Sequence, residues 1–358
     1  MFVVTSLITF FTTNDIVILL LTPIIVEICF QARIQNAKLI LLTQFIAANT
    51  LSMGLLIGSP TNIIIADALR IDFFTYLSLM ALPAAVAFTS SLTVLYLTVK
   101  ITESSKIPLF KDLEFQEEYR IPDENPEPEF TEHMRDWLMI FGFFVVLVAI
   151  VTYLHVSLLI CAVPSIAISL IYWKTSEKHS QTVKKPLKHL PYGILFFGTA
   201  FFTFAEQFSR TAVLNQKIVP VLQQTVTNSP LVSTVGTVYG SGLLVNTFND
   251  LPASALVAQT LPKLELTQAT ETVITQASLT GLNIGTYLTP VGALAGLIWF
   301  NRIREQIRKE EENFPEFAEK LEFPKRTDLV KYGAVHFLLT GLAVGLALLM
   351  EYFLMTVL

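Results

Sequence analysis

Charge is what this chain has least of. Asp, Glu, Lys and Arg make up 15% of its 358 residues, where a soluble domain carries about 25%. Hydrophobic residues reach 53%, and the mean hydropathy is +0.58. That balance puts the membrane class ahead of the soluble one. There is no cluster of basic residues of the kind that grips nucleic acid, so a nucleic-acid partner is excluded. Cysteine is scarce too. Cys29 and Cys161 both lie in apolar runs without metal-ligand spacing, which argues against a disulfide framework and a metal site. The apolar run opening at Met1 has no basic flank and no small-residue cleavage site, so it does not read as a signal peptide. The net charge of −5 decides little, because orientation depends on where Lys and Arg fall.

What the chain has instead is a set of apolar stretches broken by polar residues. A helix needs about 20 apolar residues to span a bilayer. Residues 1–30 are apolar but interrupted at Thr12-Thr13-Asn14-Asp15, with Thr22-Pro23 as a second weak point. Each arm is short, which suits a re-entrant hairpin with its polar tip inside the membrane. Residues 39–69 are broken at Gly58-Ser59-Pro60, and 73–99 form a plain span. Residues 101–136 are rich in Pro and carboxylates and read as a solvated loop. Spans are expected at 137–154, 156–173 and 191–208, with a basic loop at 174–189 and a polar stretch at 209–230. A second interrupted hairpin covers 231–262 around Asn246 to Pro252. Residues 272–300 are broken between Gly285 and Gly292, 301–329 read as a charged loop, and 333–357 form the last span.

Placing the basic loops 174–189 and 301–329 in the cytoplasm fixes the rest by counting spans. Residues 101–136 are then cytoplasmic, 209–230 and 263–271 external, and the two hairpins enter from opposite faces. The expected fold is therefore all-α: a polytopic membrane protein of inverted repeats, with two re-entrant hairpins and two broken transmembrane helices. Residues 1–100 form the first transport repeat, 101–136 an acidic cytoplasmic loop, and 137–358 the second, complete repeat. Three spans precede the second hairpin and none precedes the first, so scaffold helices are expected ahead of residue 1.

The breaks carry the chemistry. Thr-x-Asn-Asp occurs at 12–15 and again at 247–250. Each copy is followed by a Gly-hydroxyl patch with a proline: Gly58-Ser59-Pro60-Thr61-Asn62, and Gly285-Thr286 with Thr289-Pro290-Val291-Gly292. Broken helices persist in hydrocarbon only where they line a cavity or are buried in protein. In secondary transporters they hold substrate and coupling ions at the midplane. Gly58, Gly285 and Gly292 permit unusual backbone geometry, while Ser59, Thr61, Asn62, Thr286 and Thr289 supply oxygens. Thr13, Asn14, Asn246, Thr247 and Asn249 add donors and acceptors at the hairpin tips. Asp15 and Asp250 each cost about 2.5–3.5 kcal/mol at mid-span on insertion scales. A lone intramembrane Asp often only caps a helix; the repeat in one four-residue frame points to function. Glu27, Asp67, Glu206 and Glu351 lie near span ends and read as interfacial, and His155 and His336 as interfacial or packing residues. No Lys or Arg lies well inside a span, which suits a neutral hydroxylated solute or an anion accompanied by cations.

These residues resemble the arsenical pump permease and sodium/proton antiporter group of the ion transporter superfamily, which also contains citrate and dicarboxylate carriers. The resemblance rests on Asn14-Asp15 with Leu20-Leu21-Thr22-Pro23, and on Ala48-Asn49 with Gly58-Ser59-Pro60-Thr61-Asn62. It rests equally on Val245-Asn246 with Asn249-Asp250-Leu251-Pro252-Ala253, and on Leu282-Asn283-Ile284-Gly285 with Leu288 to Ala295. The last block is similar to arsenite permeases, although those commonly place a non-acidic residue where Asp250 stands. The resemblance implies a multi-pass protein of the cell membrane that moves a small inorganic or organic anion, arsenite- or antimonite-like. It implies a proton or sodium ion as coupling ion and no other cofactor. A homodimer, and a soluble ATPase partner in an arsenite pump, follow from the same likeness. A sodium/proton antiporter and a dicarboxylate or citrate carrier are the alternatives. An intramembrane aspartyl protease using Asp15 and Asp250 is the reading from another class. Neither Asp has the Gly-x-Gly-Asp context of those enzymes, so no catalytic residue is assigned.

Overall fold

The computed structural model describes residues 1–34, 36–104, 192–312, 314–315 and 321–357. The spans expected at 137–154 and 156–173, the loop at 174–189 and nearly all of 101–136 lie outside the described residues. The first half runs α1 (Phe2–Phe11), α2 (Asn14–Gln31), α3 (Ala37–Leu51), α4 (Pro60–Ala68) and α5 (Phe73–Ser104). The second runs α6 (Tyr192–Ser209), α7 (Val219–Asn228), α8 (Thr237–Phe248), α9 (Asp250–Thr260), α10 (Gln268–Ile284), α11 (Leu294–Glu311) and α12 (Arg326–Val357). Every regular element among the described residues is helical.

Two of these helices, α1 and α12, leave many apolar side chains outside while burying small and polar ones beside apolar ones. α1 buries Thr5, Ser6 and Thr9 while Val3, Val4, Leu7, Ile8 and Phe11 are exposed. α12 buries Gly333, His336, Thr340, Gly341 and Gly345, and exposes Leu338, Leu339, Leu342, Leu346, Met350 and Phe353. In water this arrangement would sacrifice the hydrophobic driving force. In lipid it is favourable, because small and polar residues let helices approach closely and find hydrogen-bond partners. Among the described residues three helices, Asn14–Gln31, Phe73–Lys100 and Arg326–Val357, are long and apolar enough to cross a bilayer.

The chain divides into two compact units. The larger comprises Met1–Ile71, Tyr76–Asp112 and Gly198–Leu358. Within it α2 packs along α11, and α4 along α9. Each half thus lends the second piece of its broken helix to the other half's helix after the Asn-Asp motif. One apolar core joins α2, α3 and α11 through Phe30, Phe45, Trp299 and Ile303, with Phe45 and Trp299 ring centroids 5.0 Å apart. The smaller unit comprises Asp72–Thr75 and Leu113–Phe197. In its described part Asp72 caps α5, accepting the Phe74 and Thr75 N–H groups at 3.0 and 3.1 Å.

Three expectations from sequence need correction: at Pro23, after residue 300 and at the start of the last span. Pro23 does not weaken the first hairpin: α2 continues through it for 18 residues, about 27 Å at 1.5 Å per residue. That arm is long enough to span by itself. The polar stretch 209–230 is helical, with a π-turn at Val213–Ile218 leading into α7. Its buried residues are few, Val226 among them on α7, so polarity there reflects exposure and not irregular backbone. The charged run after residue 300 continues α11 to Glu311. Arg, Glu, Gln and Lys are good helix formers, and the i,i+3 pair Arg302–Glu305 and the i,i+4 pair Gln306–Glu310 support the turn. The last span begins at Arg326, earlier than 333.

Candidate functional site

Each Asn-Asp motif marks the start of a helix. Thr13 precedes α2 in extended conformation, and its side chain accepts the Ile16 N–H. Asn249 precedes α9 with φ 75° and ψ 162°, a region that L-residues other than glycine rarely enter. Two bonds hold it there: its backbone N–H donates to Val245 O at 2.7 Å, and its side-chain amide donates to Val291 O at 2.8 Å. The left-handed position at this break therefore belongs to an asparagine. The described glycines all avoid positive φ, contrary to the role expected of Gly58, Gly285 and Gly292.

Those glycines serve close approach. A Cβ at Gly58 would strike the Ser52 carbonyl, and one at Gly285 would strike the backbone of Gly242 on α8. The helix α3 ends at Leu51 and the chain passes through short 3-10 turns at Ser52–Gly54 and Leu56–Gly58 before α4 begins. α10 ends at Ile284, a 3-10 turn covers Gly285–Tyr287, and α11 begins at Leu294. Ser59 (φ −151°, ψ 144°) and Ala293 (φ −138°, ψ 149°) occupy equivalent extended positions ahead of the second pieces. Ten residues separate Asn49 from Ser59 and Asn283 from Ala293. Gly292 thus stands as far ahead of α11 as Gly58 does ahead of α4.

The two unwound segments meet in a buried amide cluster. Asn283 donates to Asn62 Oδ1 at 2.9 Å and accepts from Ser52 Oγ at 3.1 Å. Asn62 donates to the Ser52 and Leu55 carbonyls at 2.9 and 3.0 Å. Asn14 donates to Asn49 Oδ1 at 3.0 Å, tying the start of α2 to the end of α3. On the other side Asn246 donates to Gly285 O at 2.7 Å and accepts from Thr289 Oγ1 at 2.7 Å. Thr289 Oγ1 in turn accepts the Gly292 N–H, and Thr286 donates to Asn283 O. Tyr287 bridges the halves through a 2.5 Å hydrogen bond to Thr50. These bonds satisfy the carbonyls that unwinding frees, which apolar surroundings would otherwise penalise by several kcal/mol.

Asp250 opens α9, 7% exposed, and its carboxylate accepts the Leu251 N–H at 2.9 Å, with the start of α11 close by. Asp15 lies close enough to Asp250 for the charges to interact. The starts of α2, α9 and α11 therefore gather around a pair of carboxylates. Ser59 and Thr61 at the start of α4 are buried. Thr247 is not part of this gathering: it is exposed, and its hydroxyl returns to Leu243 O.

Asn49, Ser52, Asn283 and Tyr287 are central here and were not among the candidate residues expected from sequence. Asn49 and Asn283 do stand beside the Gly-rich patches, but an asparagine inside a helical run carries no local sign of its long-range partner. Gln44 is a further case. Buried on α3, it accepts from Trp299 Nε1 at 3.3 Å and donates to Thr22 at 3.0 Å. His336, expected at an interface or in packing, is 2% exposed. No group of three or more His, Cys, Asp or Glu residues able to hold a metal occurs among the described residues.

Helices with apolar outer faces, an apolar core and two unwound segments that share one amide cluster are those of a multi-pass membrane protein. Residues 1–281 match the citrate transporter family CitMHS, and the chain belongs to that family. It is also similar to an arsenical pump membrane protein of Escherichia coli strain K12, with 22% identity over 296 residues, covering 82% of this chain and 66% of the relative. An arsenical pump membrane protein of Yersinia enterocolitica is 23% identical over the same shares of both chains. This chain thus spans about two thirds of the length of those relatives.

Proposed function

We propose that this protein is a secondary active transporter of a small anion or oxyanion, arsenite- or antimonite-like, coupled to protons or sodium. The observation that carries the reading is the gathering of helix N-termini around Asp15, Asp250 and the amide cluster of Asn62, Asn283 and Ser52. Helix N-termini present unpaired N–H groups and positive dipole ends to an anion. Two carboxylates beside them oppose a bare anion and favour one that arrives with a cation or proton, or a neutral hydroxylated solute. Asn14, Asn49, Asn246 and Asn249 hold both broken helices open, and Gly58, Gly285 and Gly292 allow the close backbone approach. The crossed packing of α2 on α11 and of α4 on α9 supports an inverted pair of repeats that alternate access around this point.

A citrate or dicarboxylate carrier is the second reading, favoured by the family to which the chain belongs. Everted vesicles carrying the full chain decide between them. Arsenite or antimonite accumulation driven by a proton or sodium gradient supports the first reading, and citrate movement alone supports the second. Sodium/proton exchange without either solute would replace both with an antiporter, in which Asp15 and Asp250 carry the ions.

A further inference from the structure

Three of the five buried side-chain atoms that lack any hydrogen-bond partner among the described residues face a single part of the bundle. They are Gln276 Oε1 and Thr280 Oγ1 on α10, and His336 Nδ1 on α12. α10 and α12 pack against each other. Gln276, Thr280, Asn283 and Tyr287 follow one another at spacings of four, three and four, which places them along one helix face. Gln276 donates to Leu79 O on α5 at 2.8 Å and to both oxygens of Glu351 on α12 at 3.2 Å. Its amide orientation is fixed by that arrangement, since a flip would set its oxygen against three acceptors. The orphaned oxygen is therefore a property of the site.

Further along the same interface Ser91 of α5 and Thr340 of α12 share a 2.9 Å hydrogen bond. Tyr287 bonds to Thr50 with Ser91 nearby, and His336 stands edge-on to the Tyr287 ring, centroids 6.4 Å apart. The titratable neighbours here are tyrosines: Tyr287 facing His336, Tyr76 of α5 donating to Met53 O, and Tyr239 of α8 donating to Leu338 O. A buried unpaired oxygen or imidazole nitrogen is costly, and an internal water is its usual partner. Orphaned acceptors one helical turn apart suit a water between them.

We infer that the α5–α10–α12 interface is a hydrated proton path from Glu351 to His336, adjoining the amide cluster at Tyr287 and serving it. The inference rests on the transport reading above for its purpose, though not for its geometry. A proton from solvent joins the Glu351 carboxylate. Waters at Gln276 and Thr280 and the hydroxyls of Thr340, Ser91 and Tyr287 pass it on, each accepting one proton and releasing the one it held. It comes to rest on Nδ1 of His336, whose imidazole becomes a cation until the proton leaves during turnover. Intramembrane Glu and His side chains linked by hydroxyls are the ordinary parts of such relays.

The test uses the full chain with two readouts. In detergent, radiolytic hydroxyl-radical labelling reports internal water beside Tyr287. Labelling is expected in the wild type, a fall of at least fivefold in the Gln276→Leu/Thr280→Val double variant, and recovery in Gln276→Glu/Thr280→Ser. In proteoliposomes loaded with a pH-sensitive dye, arsenite and citrate are the probes. The double variant is expected to lose about tenfold in solute-driven proton movement while solute exchange stays within twofold, and Glu351→Gln and His336→Asn should do the same. Absent labelling of Tyr287 in folded wild type overturns the path, whatever moves. Equal loss of exchange and proton movement, or unchanged proton movement, overturns it too. If labelling behaves as expected but neither solute moves, the hydrated path stands and the anion-transport reading falls.

Discussion

Asn249 and the two aspartates beside the amide cluster concentrate the cost of this site in three side chains. Asn249 holds a backbone conformation that costs about 1–3 kcal/mol for a residue with a Cβ, offset by its bond to Val291 O. Asn249→Gly should remove strain and bond together and leave thermal unfolding in detergent within a few degrees of wild type. Asn249→Ala should keep the strain, lose the bond, and melt clearly below the glycine variant. Equal melting of the two would mean the strain is not real. Asn283→Ala leaves Asn62 Oδ1 without its donor and Ser52 Oγ with only the Asn49 carbonyl, a loss of about 1–3 kcal/mol for the buried group left unpaired, and should be among the more destabilising single changes. For Asp15 and Asp250 the expectation is functional. Asn at either position keeps shape and hydrogen bonding while removing charge, so folded protein should reach the membrane with ion coupling lost. Vesicle transport whose dependence on pH and sodium is unaltered in both variants would reduce these aspartates to helix caps.

Among the elements, the two broken helices are the sensitive ones, because their pieces touch backbone to backbone. Gly285→Ala would push a methyl into the Gly242 backbone, and overpacking of this kind costs about 1–3 kcal/mol. Gly240, with open space around its Cβ position, is the matched control on the same α8; alanine there should be neutral or slightly stabilising by melting temperature. α5 offers a pH-dependent case outside the spans. The Thr75 hydroxyl bonded to Asp72 holds that carboxyl below the usual range, with backbone N–H groups adding to the effect. A depressed carboxyl contributes stability that is present above its unfolded value and lost as pH falls through the folded one. Acidification below about pH 4 should therefore narrow the gap between wild type and Asp72→Ala, a substitution that costs about 0.5–2 kcal/mol at neutral pH as a lost cap. A gap that stays constant down to pH 2 would contradict the capping role.

At the scale of the whole molecule the open question is orientation, and it can be read with single cysteines. Cys29 is buried and should stay silent to membrane-impermeant reagents. If the halves are inverted as proposed, Lys217→Cys labels from outside and Arg304→Cys only after the membrane is opened. The reverse pattern would overturn the charge-based topology. The membrane class, the helical content and the positions of the breaks were legible in the sequence, because each is a local matter. Apolar runs of spanning length need no partner to be recognised, and Asn, Gly and Pro clustered together mark the breaks, whereas a lone proline such as Pro23 does not interrupt its helix. Tertiary structure alone decided where the extended residues fall: Ser59 and Ala293 each stand one residue ahead of a second helix piece, with Gly58 and Gly292 just before them. It also alone placed Asn283 against Asn62 and Ser52, 221 and 231 residues away, and Gln276 against Glu351. A side-chain hydrogen bond of that span leaves no periodic trace in the chain. In a low-dielectric interior the penalty for an unpaired amide is nevertheless large enough to fix where both helices end.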